Sequence, residues 1–241
     1  MFLPVIAILA FQFPGGAGSP QEQMGQQVHD LRDETKDSVP LYIEMFKNGI
    51  SAEALSKLGD EFLKYSKPEQ AQICFRAALK LKPELDAAKA GLKKSTARTD
   101  ELFARINEYL EKKTKEKDFK YGCRSSAILF YLGRRQEAQD MLRELAREFG
   151  PNGEMAGLLR TFKMGETVQM NTERQLSREF VQAVADKDLD QALERYGHLI
   201  FLSLGQVPSD VYIERLKEGF AEKVDVEKVR QTADLLIQKN S

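Results

Sequence analysis

The chain has little of what metal and nucleophile chemistry needs. It holds two cysteines, Cys74 and Cys123, and two histidines, His29 and His198. Neither cysteine belongs to a CxxC pair, which excludes a disulfide framework and a cysteine-rich zinc site. The histidines lie far apart in sequence, and no Glu-x-x-His pair recurs that would hold metals between helices. Glycine and proline are sparse, 16 and 8 in 241 residues, so collagen-like and low-complexity classes fall away. Nor does one sign of charge dominate. The 36 basic and 37 acidic residues argue against a protein that coats nucleic acid. These absences predict a chain with no catalytic residue, no cofactor, no metal and no nucleic-acid partner.

Only one long apolar run is present, FLPVIAILAFQF over residues 2–13, interrupted by Gln12. A bilayer-spanning helix takes about 20 apolar residues, so this run is too short to cross. Its length, and Gly15, Gly16, Ala17 and Gly18 after it, suit a secretory signal; no Lys or Arg precedes it, as the basic start of a signal requires. Residues 1–20 therefore read as a signal peptide or as a hydrophobic arm packed on the folded domain. The first reading makes the protein exported, periplasmic or extracellular; the second leaves it cytoplasmic. Membrane contact is expected only through this segment, if it is uncleaved. The glycine run lacks the Gly-Lys-Ser/Thr of a phosphate loop and serves as spacer.

From Ser19 onward, apolar residues recur at three- and four-residue spacing, the helical period. Leu55, Leu58, Phe62 and Tyr65 form one stripe, and Ala71, Cys74, Phe75, Ala78 and Leu79 the next. Between them Ser66-Lys67-Pro68-Glu69 has capping-box spacing, with Pro68 in the first turn and Pro83 as the stop. A second hairpin runs from Ser126 through a turn at Gly133-Arg134-Arg135 to Phe149. A third turns at Asp186-Lys187-Asp188, and a last pair spans Val211–Phe220 and Val226–Ile237. Thr172…Gln175 and Asp188…Gln191 also have capping-box spacing. Two shorter helices, Ala87–Lys94 and Asp100–Lys113, are expected between the first hairpins. Gly165–Asn171 (GETVQMN) is the least helical stretch and reads as a link between two halves.

The strongest internal pattern is Leu55-x-x-Leu58-Gly59-x-x-Phe62, then Ala71-x-x-x-Phe75-x-x-Ala78, then Pro83. It resembles the tetratricopeptide repeat signature, with Leu55 for its Trp and Phe62 for its Tyr. A unit at Phe119–Asn152 keeps Leu129, Gly133, Ala138 and Leu142 but has Ser125-Ser126 for Leu-Gly. A weaker one at Arg174–Gly205 keeps Ala192 and Tyr196. Ala71 and Ala138 stand 67 residues apart, close to two periods of 34; the 54 residues from Ala138 to Ala192 break the period. The resemblance implies an all-α fold: tetratricopeptide-like helical hairpin repeats in an irregular right-handed superhelix. Residues 21–50 form an N-terminal helical cap, 51–164 the repeats, and 171–241 degenerate C-terminal hairpins.

What the resemblance implies for function is a groove, lined by the first helix of each pair, that binds an extended peptide or a partner helix. The groove positions are Glu53, Ser56, Asp60, Leu63 and Lys64 in the first unit and Lys120, Cys123, Ala127, Phe130 and Tyr131 in the second. Asp60, Leu63, Lys64, Lys120, Phe130 and Tyr131 are the partner-binding candidates. Phe130 and Tyr131 are anchors or packing residues, since aromatics concentrate binding energy. Asp60 stands where a carboxylate clamp needs Asn, so it would repel a terminal carboxylate.

Other clusters read as structure. Asp186-x-Asp188-x-Asp190 lacks the glycine and final glutamate of a calcium loop, and helix capping accounts for it. Cys74 reads as a packing residue, and a Cys74–Cys123 bridge is not expected. His29, beside Asp30 and Asp33, sits on a solvated face; His198 is a core or interface histidine. Arg76–Arg124 carries 14 bases and eight acids, including Lys112, Lys113, Lys115, Lys117 and Lys120. That stretch is a solvated face, or it attracts an acidic peptide, an anionic surface or the acidic residues 21–63. The expected function is a non-catalytic protein-interaction scaffold; the alternative is a structural subunit or assembly factor of a cell-envelope complex.

Overall fold

The computed structural model describes residues 36–203 and 209–237, and these are all-helical, with ten helices and no strand among them. In chain order they are α1 Val39–Asn48, α2 Ala52–Lys64, α3 Pro68–Leu81, α4 Asp86–Glu116 and α5 Phe119–Tyr131. They continue with α6 Arg135–Phe149, α7 Gly153–Ala185, α8 Leu189–Ser203, α9 Ser209–Phe220 and α10 Val226–Ile237. The apolar run at residues 2–13 and His29 lie outside the described residues.

Three hairpins, α2/α3, α5/α6 and α7/α8, share one turn. In each, the residue after the helix cap is left-handed: Ser66 (φ 59°), Gly133 (φ 85°) and Lys187 (φ 58°). The next amide then donates back across the turn, Lys67 to the Phe62 carbonyl, Arg134 to Leu129 and Asp188 to Ala183, at 2.8–2.9 Å. This closure satisfies carbonyls that a helix end would otherwise leave open. It also corrects the reading of Ser66 as an N-cap. Ser66 ends α2, while α3 starts at Pro68 with no side-chain cap. Asp188 does cap α8, accepting from the Gln191 amide at 3.0 Å.

Close helix approach in the first hairpin centres on Phe75. A Cβ at Gly59 (α2) would lie 2.7 Å from its ring, and one at Gly91 (α4) 2.3 Å. Ala71 and Ala78 are fully buried beside it. Sixty-seven residues on, Ser126 replaces Gly59 and Leu142 replaces Phe75. The smaller Leu142 leaves room for the Ser126 hydroxyl, which donates to the Ala138 carbonyl at 2.7 Å.

Two expected breaks are absent. Ala87–Lys94 and Asp100–Lys113 belong to one 31-residue helix, α4, and Gly165–Asn171 lies inside the 33-residue α7. Hydroxyls in these stretches bond back to their own helices: Thr99 to the Ser95 carbonyl, Thr167 to Lys163 and Thr172 to Val168. Such bonds leave the main-chain ladder intact, so Thr172 is a mid-helix residue rather than a cap.

The long helices join two apolar cores. One is built from α1–α3, α8–α10, the start of α4 and the end of α7; it contains Tyr42, Phe75, Phe180 and Tyr196. The other is built from α5, α6, the far half of α4 and the near half of α7, around Leu102, Leu142 and Phe162. At 1.5 Å per residue, α4 and α7 span about 46 and 50 Å. The ends of the described chain meet, since α1 packs on α8 and α10. Gly197 admits Tyr42, whose Cβ would be 3.0 Å from an added methyl, and Phe46 stacks on Tyr196.

Because Phe75 is held on both sides, it cannot retreat from a methyl at Gly91. Gly91→Ala is expected to destabilise the fold by about 1–3 kcal/mol, overriding the helix-propensity gain. A Cβ at Gly157 in α7 meets nothing within 4 Å, so Gly157→Ala should stabilise by up to about 1 kcal/mol. Denaturant unfolding of the two variants should give shifts of opposite sign.

Candidate functional site

The groove candidates fall into two sets on different cores. On α2, Asp60 is exposed, Leu63 is half-buried against the first core, and Lys64 pairs with Glu61. Partial burial raises the Asp60 carboxyl pKa, with Lys94 and Lys64 pulling against it. Glu53 pairs with Lys82 at 2.8 Å, and Ser56 is buried. On α5, Lys120 is exposed and Tyr131 is half-buried against the second core. Phe130 stacks flat on Phe162 of α7, ring centroids 4.1 Å apart. Cys123 and Ala127 are buried, so among the expected groove positions Ser56, Cys123 and Ala127 face packing rather than an open surface.

A concavity of about 870 Å³ lies where the two cores meet. Its walls are the α5–α6 turn with the start of α6 (Gly133–Glu137), the middle of α7 (Glu166–Arg178), and Leu199 and Tyr212 from α8 and α9. Arg134 anchors one wall: its Nη2 lies 2.9 Å from Glu69 of α3, and its guanidinium lies over the Phe103 ring at 4.7 Å. Burial pulls its pKa down, but Glu69 and Glu137 outweigh that and leave it raised. Arg135 is half-buried over Phe130 and donates to the Gln169 side chain. Burial lowers its pKa, opposed by Glu166 and Glu173; an arginine remains charged there.

The opposite wall is a mainly polar helix face. Gln169 bridges Glu173 and the Leu202 carbonyl, while Glu166 accepts from Gln139 of α6. Tyr212 is held by Ser177, hydroxyl to hydroxyl at 2.6 Å, and stacks on Tyr196. Arg174, Arg178 and Met170 are exposed. Sequence reasoning marked Gly133-Arg134-Arg135 and GETVQMN only as punctuation. The available signal was that two polar stretches, one bearing arginines and one a glutamate and a glutamine, interrupt the apolar period.

The basic stretch is largely self-paired. Lys112 pairs with Glu108, Lys113 with Glu148 and Lys115 with Glu111. Among the described residues no group of three or more His, Cys, Asp or Glu could hold a metal ion, and no helix is long and apolar enough to cross a membrane. His198 is buried with Glu194 3.8 Å away. Comparison of the chain with protein-family models, with curated proteins and with solved structures gives no match.

Both cysteines are free and buried. Burial pushes the Cys74 thiol pKa far up and that of Cys123 to about 11, with Glu154 and Asp118 adding to the latter. At pH 8 such a thiol is about 0.1% thiolate, and the thiolate is the reactive form. Ellman titration of the native protein at pH 8 should therefore find no fast thiol, and titration in guanidinium two per chain. A rapid native thiol would show that one of these sites opens to solvent.

Proposed function

We propose that the chain is an exported, non-catalytic interaction protein built on tetratricopeptide-like hairpins, and that it binds an extended segment of a partner protein in the cleft between its two cores. The carrying observation is the cleft itself. Small-molecule pockets are mostly apolar with a few placed polar groups, whereas this wall is mainly arginine, glutamate and glutamine. Arg, Tyr and Met, which protein interfaces favour, are all on it as Arg174, Tyr212 and Met170. The shared turn of the three hairpins and the Gly59–Phe75 contact support the repeat reading. Export rests on the apolar run and the small residues that follow it.

The reading moves the recognition surface from the first helices of the hairpins to the α6–α7 junction. Phe130 then acts from beneath, supporting Arg135, rather than as a direct anchor. Photo-crosslinking in the native host tests it. A benzoylphenylalanine at Met170, 46% exposed in the cleft, should capture a discrete protein partner. The same probe at Leu81, 57% exposed outside it, should not. Equal capture at both positions, or none at Met170, would overturn the assignment.

A further inference from the structure

The cleft's charges differ in how they are engaged, and that difference identifies the ligand's chemistry. Its acids are Glu137, Glu166 and Glu173 and its bases Arg134, Arg135, Arg174 and Arg178. Every acid already accepts a hydrogen bond, from Arg134, Gln139 and Gln169 respectively. Arg134 is held by Glu69 and Glu137. Among the described residues, however, no carboxylate lies within 4.0 Å of the side-chain nitrogens of Arg135, Arg174 or Arg178. Arg98, Arg105, Arg143, Arg195 and Arg230 each have one. Arg76, Arg124, Arg147, Arg160 and Arg215 have none among the described residues either, but none of these lines the cleft, whereas Arg135, Arg174 and Arg178 share it.

Resting on the partner-binding reading above, we propose that the cleft receives an acidic peptide segment whose carboxylates are read by Arg135 on one wall and by Arg174 and Arg178 on the other. A guanidinium presents planar, paired donors that match a carboxylate. Arg174 and Arg178 stand four residues apart on α7, which places them about 6 Å apart on one face. In an extended peptide, alternate side chains on one side repeat at about 6.6 Å. The spacing therefore fits an acidic-x-acidic pattern running along α7, with Arg135 facing a third acid across the gap.

The start of α6 adds to this wall. Arg134 occupies the N-cap position and makes no side-chain cap, and Arg134–Glu137 line the cleft, so the positive end of the helix dipole lies at this wall. Met170 and Tyr212 supply contact for a flanking apolar residue. A nucleic acid fits less well, because Glu137, Glu166 and Glu173 would meet its continuous phosphate backbone.

Fluorescence anisotropy on the full-length protein tests the proposal with three rhodamine-labelled peptides of one length: Glu at alternate positions, Gln in place of Glu, and Lys in place of Glu. Only the Glu peptide should bind, and its affinity should fall at least about tenfold between 50 and 300 mM NaCl. Both exposed arginines can be removed without touching a core, and circular dichroism checks that the fold is kept. Arg174→Ala with Arg178→Ala should weaken binding by about tenfold or more, while Lys117→Ala with Lys120→Ala should leave it unchanged. Arg174→Glu with Arg178→Glu should transfer preference to the Lys peptide.

Equal binding of the Gln peptide, indifference to the arginine changes, or arginine-dependent binding of RNA in place of peptide overturns the proposal. The crosslinking experiment separates the two levels. A partner captured from Met170 without affinity for the Glu peptide overturns the acidic chemistry and leaves partner binding standing. Loss of both overturns the two together.

Discussion

Phe75 has a glycine on each face of its ring, Gly59 from α2 and Gly91 from α4, and that sandwich sets where the long helix α4 begins and which way it points. Once α4 is pinned at Gly91 its rigidity carries the chain about 17 to 23 Å away, to where Leu102 and Ile106 enter the second core. The return runs through α7, from Phe162 in that core to Phe180 in the first. A helix satisfies its own backbone polar groups, so it can bridge the interval between cores while its neighbours there are met mainly through polar side chains, as where Gln169 and Glu166 of α7 meet α8 and α6. Neither crossing could be made by a loop of the same length without water on its backbone.

The return crossing also explains why the described chain closes on itself. Tyr42 fits against Gly197, and Phe46 stacks on Tyr196, so α1 and α8 share a core although about 150 residues separate them. In an open repeat stack each unit touches only its neighbours and stability adds unit by unit. Here the first core is incomplete until α7 has come back, which couples the hairpins through contacts of long sequence separation. Such contacts are formed against a larger loop-closure cost and tend to slow folding.

The hairpins were legible because their pattern is local. Apolar stripes at helical spacing, Pro68, Pro83 and the turn residues located α2, α3, α6, α9 and α10 closely and the start of α8, while α5 begins at Phe119, seven residues before the expected Ser126. The small residues of the first unit pointed correctly to close packing. What failed was the middle of α4 and of α7, read as breaks at Lys94–Asp100 and Gly165–Asn171. In both places the apolar period lapses because the helix is between the two main cores and buries small polar residues such as Ser95 and Thr172 instead, and not because it ends. Thr172 then looked like a cap, a role it lacks because its hydroxyl bonds back to the preceding turn, as do those of Ser95, Thr99 and Thr167. The cleft was illegible for the same reason, since its residues come from a turn, a mid-helix stretch and two later helices that only the closure brings together.

That origin bears on which cationic groups are available for recognition. Counting bases along the sequence favours Lys112–Lys120, yet Lys112 and Lys115 each find a glutamate one turn earlier on α4, and Lys113 finds Glu148. Exposed pairs of this kind are individually weak, but they lower the net field that a ligand meets. On α7 the neighbouring acids are instead engaged by glutamines, amides that hold a carboxylate without cancelling its partner's charge. Arg174 and Arg178 therefore keep their donors, and Arg135 is steadied between Phe130 and Gln169 with its charge uncompensated at ion-pair distance. The exposed side of the crossing segment is free to be polar, and because the acids beside Arg174 and Arg178 are engaged by glutamines, the two guanidinium groups stay exposed with no carboxylate at ion-pair distance.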